Sequence, residues 1–528
     1  MTKRLLPVGL LLLVPALVPA AVPKLARDLP LASPDAPVDV IVQFRRAPGE
    51  AQHQKVRVRG GRRNRTLGSI RSAAYTLPAG QIAALAADSE VEHISPDRRV
   101  RAALDYAEPA VNAGIALQYG YDGTGVGIAV IDSGISRRRD LEGARGYRVV
   151  YREDFQSGAD SANDRYGHGT HVAGILAGSG QESGGRFRGI APNAHLINLR
   201  VLDAEGGSRD SLVIAAIERA VQLKERYNIR VINLSLGRPV FESYTADPLC
   251  QAVERAWEAG MVVVAAAGNE GRNNTMGTEG YATVTAPGNH PLVITVGAMK
   301  TMETPGRGDD LIASYSSKGP TLLDHIAKPD LVAPGNRIVS LLGPGSTLAA
   351  GASGPSAGYL RLSGTSMAAP VVAGTVALML QKEPWLTPDT VKARLMRTAS
   401  KGFPAFSLAT EGGVTYTSQY DLFTIGAGYL DAWAALNATD MLSEGVRAAS
   451  PAVYPGPDGR VYLAAAPPGV WAESAVWGSS AVWGSAVFAE GTRAVWGASA
   501  VWGSAASAVW GSSAVWGSVS AALPDGEN

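Results

Sequence analysis

Apolar, largely β-branched runs at residues 125–132, 194–202, 230–236, 261–267 and 292–296 alternate with longer amphipathic stretches, of which 211–226 and 248–259 read as helices. Strands of this kind, buried on both faces and joined by helices of ten residues or more, predict an α/β fold: a mainly parallel sheet with helices on both faces. In such a sheet, functional groups gather beyond the C-terminal ends of the strands. Asp132 and Asn269 both stand at such ends.

At 528 residues and 46% hydrophobic composition, the chain exceeds one typical domain and has ample material for a large core. Its net charge of +1 implies neither a nucleic acid partner nor an anionic membrane surface. The charge is unevenly spread: residues 1–104 hold 16 Lys/Arg and 8 Asp/Glu, a net of +8, which leaves −7 for the rest. The single cysteine, Cys250, cannot form an intramolecular disulfide and is expected to be a small buried hydrophobe.

Residues 1–20 carry Lys3 and Arg4, then an apolar core, then Val18-Pro19-Ala20, and read as a secretory signal peptide, with an uncleaved anchor as the alternative. The expected location is secreted or at the cell surface, and a composition rich in Arg, Ala, Gly and Val suggests a bacterium. From Val38 a strand pattern to Phe44, a basic segment at 52–65, strands at 69–77 and 91–100 and a helix at 79–88 outline a small α+β unit. Far downstream, Ala-Val-Trp-Gly recurs at Ala475, Ala481, Ala494, Ala500, Ala508 and Ala514. The even step between most Trp residues keeps them on one face of an extended chain but scatters them around a helix, so extended segments presenting Trp to an envelope surface are one reading. A low-complexity tail is the other.

Gly364-Thr365-Ser366-Met367-Ala368-Ala369-Pro370 runs into an apolar stretch that reads as a buried helix through Lys382. Ser366 then sits at a helix N-terminus, where unpaired N–H groups favour developing negative charge. Pro370 has no N–H to offer the carbonyl of Ser366 and so marks the opening of that helix. Upstream, Asp132 closes a strand, and Gly167-His168-Gly169-Thr170-His171 opens another small-residue helix. A serine, a histidine and an acid, each at an element terminus, can serve as nucleophile, general base and the group that orients the base. Asn269, at a strand end, could donate to an oxyanion. His168 and His171 also form an H-x-x-H pair, but no third ligand motif stands nearby to complete a zinc site.

These four motifs, in this order, closely resemble the subtilisin-like serine peptidases over residues 105–440. The resemblance implies a catalytic triad of Asp132, His168 and Ser366, with Asn269 and the Ser366 N–H as the oxyanion hole. It places Ser235, Leu236 and Gly237 on a wall that pairs with the substrate backbone, Leu202 and Gly206 on the opposite wall, and Ala267 and Gly268 at the floor of the pocket for the residue preceding the scissile bond. No cofactor is implied for catalysis. Asp140 matches an acid that ligates calcium in many relatives, while residues 179–188 lack the usual Asn-rich ligand run, so a structural calcium stays open. The small α+β unit resembles the family's ferredoxin-like inhibitory prodomain, whose tail at 97–110 would be cut near 104–108. The expected organisation is a signal peptide at 1–20, a prodomain at 21–104, a catalytic domain at 105–445, and a linker with the repeat tail at 446–528. Expected partners are protein or peptide substrates and the chain's own prodomain. The competing reading is a surface-attachment protein on a peptidase scaffold, with catalysis secondary or lost.

Overall fold

Strict alternation along Pro37–Phe44 buries Val38, Val40, Val42 and Phe44 on one face of a central strand. Around it the computed structural model forms a four-stranded antiparallel sheet in the order Arg62–Leu67, Ser72–Pro78, Pro37–Phe44, Val91–Pro96. The helices Glu50–Arg57 and Ile82–Ala86 contribute Val56, Ile82 and Leu85 to the same buried cluster. This βαββαβ order is that of a ferredoxin-like unit. The basic segment at 52–65, to which the sequence assigns no element, is split between a helix and an edge strand whose arginines Arg62, Arg63 and Arg65 are exposed. Charge on an edge strand discourages pairing with another chain.

The structure describes residues 33–67, 71–96, 106–144, 146–157, 162–350, 358–455 and 461–463, with positions 24, 25, 29 and 527. The signal-peptide segment, most of the 97–110 tail and the Trp repeats lie outside the described residues. The chain divides into two units between Ala102 and Ala103.

The second unit is built on an eight-stranded sheet ordered Leu311–Ile312, Ile294–Lys300, Val262–Ala266, Ile229–Leu234, Gly127–Asp132, His195–Arg200, Val149–Asp154, with Leu331–Pro334 also paired to Ile294–Lys300. All of these pairs are parallel except that of Leu311–Ile312. Helices His168–Ala177 and Thr365–Lys382 pack on each other and on the sheet, while Asp210–Leu223 and Pro248–Glu258 form a second packed pair against it. Cys250 is buried and its Sγ donates to Asn289 Oδ1 at 3.2 Å.

Two stretches differ from the sequence expectation. Residues 340–362 read as a loop because Gly, Ser, Ala and Pro dominate them, yet their ends belong to an antiparallel hairpin of Ile338–Leu341 and Tyr359–Leu362. The packed unit also runs past Gly445: Ala448 and Val453 enter a buried cluster with Phe423 and Met396, and Val453–Pro455 pairs with Val461–Leu463.

Candidate active site

Asp132 ends its strand fully buried, and its Oδ1 accepts from the Ser133 N–H at 2.7 Å and faces His168 Nδ1 at 2.8 Å. His168 is the first residue of helix His168–Ala177. A carboxylate on Nδ1 holds the imidazole proton there and leaves Nε2, which has no partner among the described residues, as the basic nitrogen. Burial works against a charged imidazolium, but the fields of Asp132 and then Asp164 outweigh it and hold His168 above the ordinary histidine range.

Asp164 escaped the sequence reading. It is buried and accepts from Ser133 Oγ at 2.8 Å, the Gly167 N–H at 2.6 Å, and the Thr170 N–H and Oγ1 at 2.7 and 2.6 Å. Burial raises its carboxyl above the usual range against these donors. Through Ser133 Oγ, which also accepts from the Gly169 N–H at 2.9 Å, it ties the strand end at Asp132 to the helix start at His168. Its only signal in the sequence is an acid four residues before a histidine, common enough to pass unnoticed. The ring of Tyr166 stacks near His168, with centroids 6.2 Å apart.

His171 is bonded to the main chain of the hairpin Ile338–Leu341 and Tyr359–Leu362. Its Nε2 faces the carbonyls of Ile338 and Leu360 at 3.2 and 3.0 Å, which requires a proton on that nitrogen. Burial, helped by the nearby His168, lowers its pKa to about 3, so it is a neutral structural donor. Among the described residues, no group of three or more His, Cys, Asp or Glu is arranged to hold a metal.

Ser366 is the second residue of helix Thr365–Lys382, so its own N–H lacks an intrahelical partner. Its Oγ donates to the Ser235 carbonyl at 3.0 Å. Asn269 Oδ1 accepts from the Thr365 N–H at 2.9 Å and Thr365 Oγ1 at 3.0 Å, which fixes which end of the amide is the donor. Gly364, at φ +151°, gives that donor room, because a Cβ there would lie 3.1 Å from Asn269 Nδ2. Thr365 also accepts from the Gly268 N–H at 3.1 Å. No local motif marks this grip, which joins residues 96 and 97 positions apart.

The expected cleft residues surround the same spot but are mostly covered. Leu202, Ser235, Leu236 and Ala267 are fully buried, so Leu202 and Leu236 stand in the core and not as side chains on an open wall. The Leu202 N–H donates to the Asp132 carbonyl at 3.2 Å. A Cβ on Gly206 would meet the Tyr166 ring at 2.8 Å, and one on Gly237 would meet Thr285 Oγ1 at 2.7 Å. Thr285 in turn donates its N–H to the Ala267 carbonyl at 3.0 Å and faces Gly268. It lines a cavity of about 240 Å³ with Val240, Met276, Ala282, Val284 and Leu322, while Glu270 supplies a carboxylate. No motif in the sequence marks these lining residues.

Asp140 does not fit a calcium ligand. Its Oδ1 accepts from the Glu182 N–H at 2.7 Å and its Oδ2 from Tyr359 Oη at 2.5 Å. Arg148 Nη2 donates to the Asp140 carbonyl at 2.7 Å, and Glu182 pairs with Arg138. Donors and guanidinium groups stand where a cation would need oxygen ligands.

Residues 123–428 match the subtilase family, peptidase S8. The serine protease AprX of Bacillus subtilis (strain 168) is 39% identical over 322 residues, which cover 59% of this chain and 70% of that protein. Subtilisin DY of Bacillus licheniformis is 37% identical over 298 residues, covering 56% of this chain and 92% of that one. Subtilisin E of Bacillus subtilis (strain 168) is 35% identical over 346 residues, 65% of this chain and 79% of that protein.

Proposed function

The chain belongs to the subtilase family and is a serine endopeptidase, and from that premise we propose that Ser366, His168 and Asp132 are its catalytic triad. What carries this reading is the 2.8 Å contact of Asp132 Oδ1 with His168 Nδ1, which leaves Nε2 basic and without a partner among the described residues, on a helix packed against the one whose second residue is Ser366. The Ser366 hydroxyl first turns from the Ser235 carbonyl toward His168 Nε2. As Oγ attacks the scissile carbonyl, its proton passes to Nε2, and the imidazolium is stabilised by Asp132. Asn269 Nδ2 and the Ser366 N–H receive the oxyanion. Nε2 then protonates the leaving amine, and water, deprotonated by the same nitrogen, resolves the acyl-enzyme.

The apolar cavity beside Gly237 and Gly268 suits a sizeable apolar side chain on the residue preceding the scissile bond. The ferredoxin-like unit is read as an inhibitory prodomain, removed by self-cleavage near residue 104. Without Lys3 and Arg4 of the signal segment, residues 21–104 carry 14 Lys/Arg and 8 Asp/Glu, a net of +6, and this charge against −7 for residues 105–528 favours its association with the remainder. Secretion follows from the residues 1–20 pattern, and attachment to an envelope surface is the role read for the Trp repeats.

A fluorophosphonate probe tests the triad. The processed protein should be labelled and Ser366→Ala should not, and the variant should accumulate as precursor in a host lacking other secreted proteases. An unlabelled, correctly processed parent would overturn the reading.

A further inference from the structure

Beyond Leu463, Glu527 is the described residue, and it is 2% exposed within the second unit. Its carboxylate has four donors. Lys300 Nζ approaches Oε1 at 2.9 Å, while Arg272 Nη2 at 3.1 Å, the Ser314 N–H at 2.8 Å and Ser314 Oγ at 2.9 Å all meet Oε2. The main chain of the same residue is held too: Asn336 Nδ2 donates to the Glu527 carbonyl at 2.8 Å, and the Glu527 N–H donates to Asn336 Oδ1 at 2.9 Å.

Three of the receiving residues lie at or just beyond the ends of sheet strands. Lys300 is the last residue of the strand Ile294–Lys300, Ser314 follows the edge strand Leu311–Ile312, and Asn336 follows Leu331–Pro334. Lys300, Ser314 and Asn336 are all buried. Charge-assisted bonds from an ammonium and a guanidinium select a carboxylate. An Asn amide paired with both the N–H and the C=O of one residue reads extended peptide whatever its side chain. Together they form a site for a glutamate within a peptide.

We propose that this is a glutamate-reading peptide site whose occupant is Glu527, and that it ties the chain beyond the Trp repeats back to the catalytic unit. The chain is then held to that unit on both sides of the repeats, at Val461–Leu463 and at Glu527. The attachment bears on the active site through short links. Gly335, next to Asn336, accepts the Gly364 N–H at 2.8 Å just ahead of Ser366. Ser317, three residues after Ser314, donates its N–H to the Gly268 carbonyl at 2.9 Å beside Asn269.

Residue-resolved hydrogen exchange on the full chain, in the Ser366→Ala background to prevent self-digestion, tests the site. The Ser314 amide, bonded to Glu527, should exchange about tenfold faster or more in Glu527→Gln and in Glu527→Ala, while amides of the central strand Gly127–Asp132 stay protected and report an intact fold. Adding the synthetic peptide Pro-Asp-Gly-Glu-Asn to Glu527→Ala should restore slow exchange at Ser314, and the same peptide with Gln in place of Glu should not. Unchanged Ser314 exchange in both variants would overturn the proposal, as would equal rescue by the two peptides.

Discussion

Ser235 Oγ donates to the carbonyl of Ser366 at 2.8 Å. In an unbroken helix that carbonyl would take the N–H of residue 370, and Pro370 has none. The strand-end serine supplies the missing donor, and its orientation is fixed by Asn233 Nδ2, which donates to the same Oγ at 2.9 Å. The pair is reciprocal, since the Ser235 carbonyl accepts from Ser366 Oγ. Proline within the helix thus couples the backbone of Ser366, the proposed nucleophile, to the wall read as substrate-binding.

Ser235→Ala should leave the buried carbonyl of residue 366 without its donor, at a cost of about 1–3 kcal/mol. Urea unfolding of the double variant against Ser366→Ala alone measures this free of self-digestion. In the active protein kcat/KM should fall by about tenfold, the equivalent of about 1.4 kcal/mol of lost positioning. Equal unfolding midpoints and slopes would show that the bond contributes nothing.

Thr365 orients Asn269 through both its N–H and its hydroxyl. Removing one oxyanion donor lowers kcat by about 10²–10³ in subtilisin, a relative on which that magnitude was established. Thr365→Val keeps the N–H and loses only the hydroxyl, so its kcat should drop less, by about tenfold, with KM little changed. Thr365→Ser should recover most of the loss. If the valine variant turns over at the parent rate, the hydroxyl does not orient the amide.

Ala282 lines the cavity beside Gly237 and is almost fully buried. Ala282→Phe should fill much of that space. Peptide substrates with Phe before the scissile bond should lose about 100-fold in kcat/KM, while those with Ala there should change little. Loss of both classes alike would indicate distortion of the site and no role for the cavity in selection.

Much of this architecture is legible from local chemistry. The helix Pro388–Thr398 announces itself by Thr387, whose Oγ1 accepts from the Thr390 N–H at 3.1 Å, and by Pro388 in its first turn. The β-branched runs place the parallel strands, and Asp132 and His168 stand at element ends that periodicity alone locates. What stays hidden depends on segments far apart in sequence. The Ser235–Ser366 bond spans 131 positions, and the Asp164–Ser133 bond spans 31. The hairpin Ile338–Leu341 with Tyr359–Leu362 is hidden for another reason: each arm is only four residues long and small residues dominate between them. Leu202 is hidden as well: its side chain is fully buried, which its place in the sequence does not announce.

Asp164 should tune the pH dependence of the reaction. General-base catalysis needs neutral His168, so the acid limb of kcat/KM reports its pKa, which Asp132 and Asp164 hold above the ordinary histidine range against burial. Asp164→Asn removes one of those two carboxylate fields and should move the acid limb to lower pH. Stability carries the same signature with a definite sign. A histidine whose pKa is raised on folding favours the native state when protonated, so its contribution is complete below the unfolded value of about 6.5 and is lost as pH rises through the folded value. Unfolding of Ser366→Ala should therefore become easier across that window, and the added Asp164→Asn change should narrow it from the high-pH side. Should the acid limb stay in place in the active Asp164→Asn variant, the second carboxylate acts only through the bonds it makes to Ser133, Gly167 and Thr170.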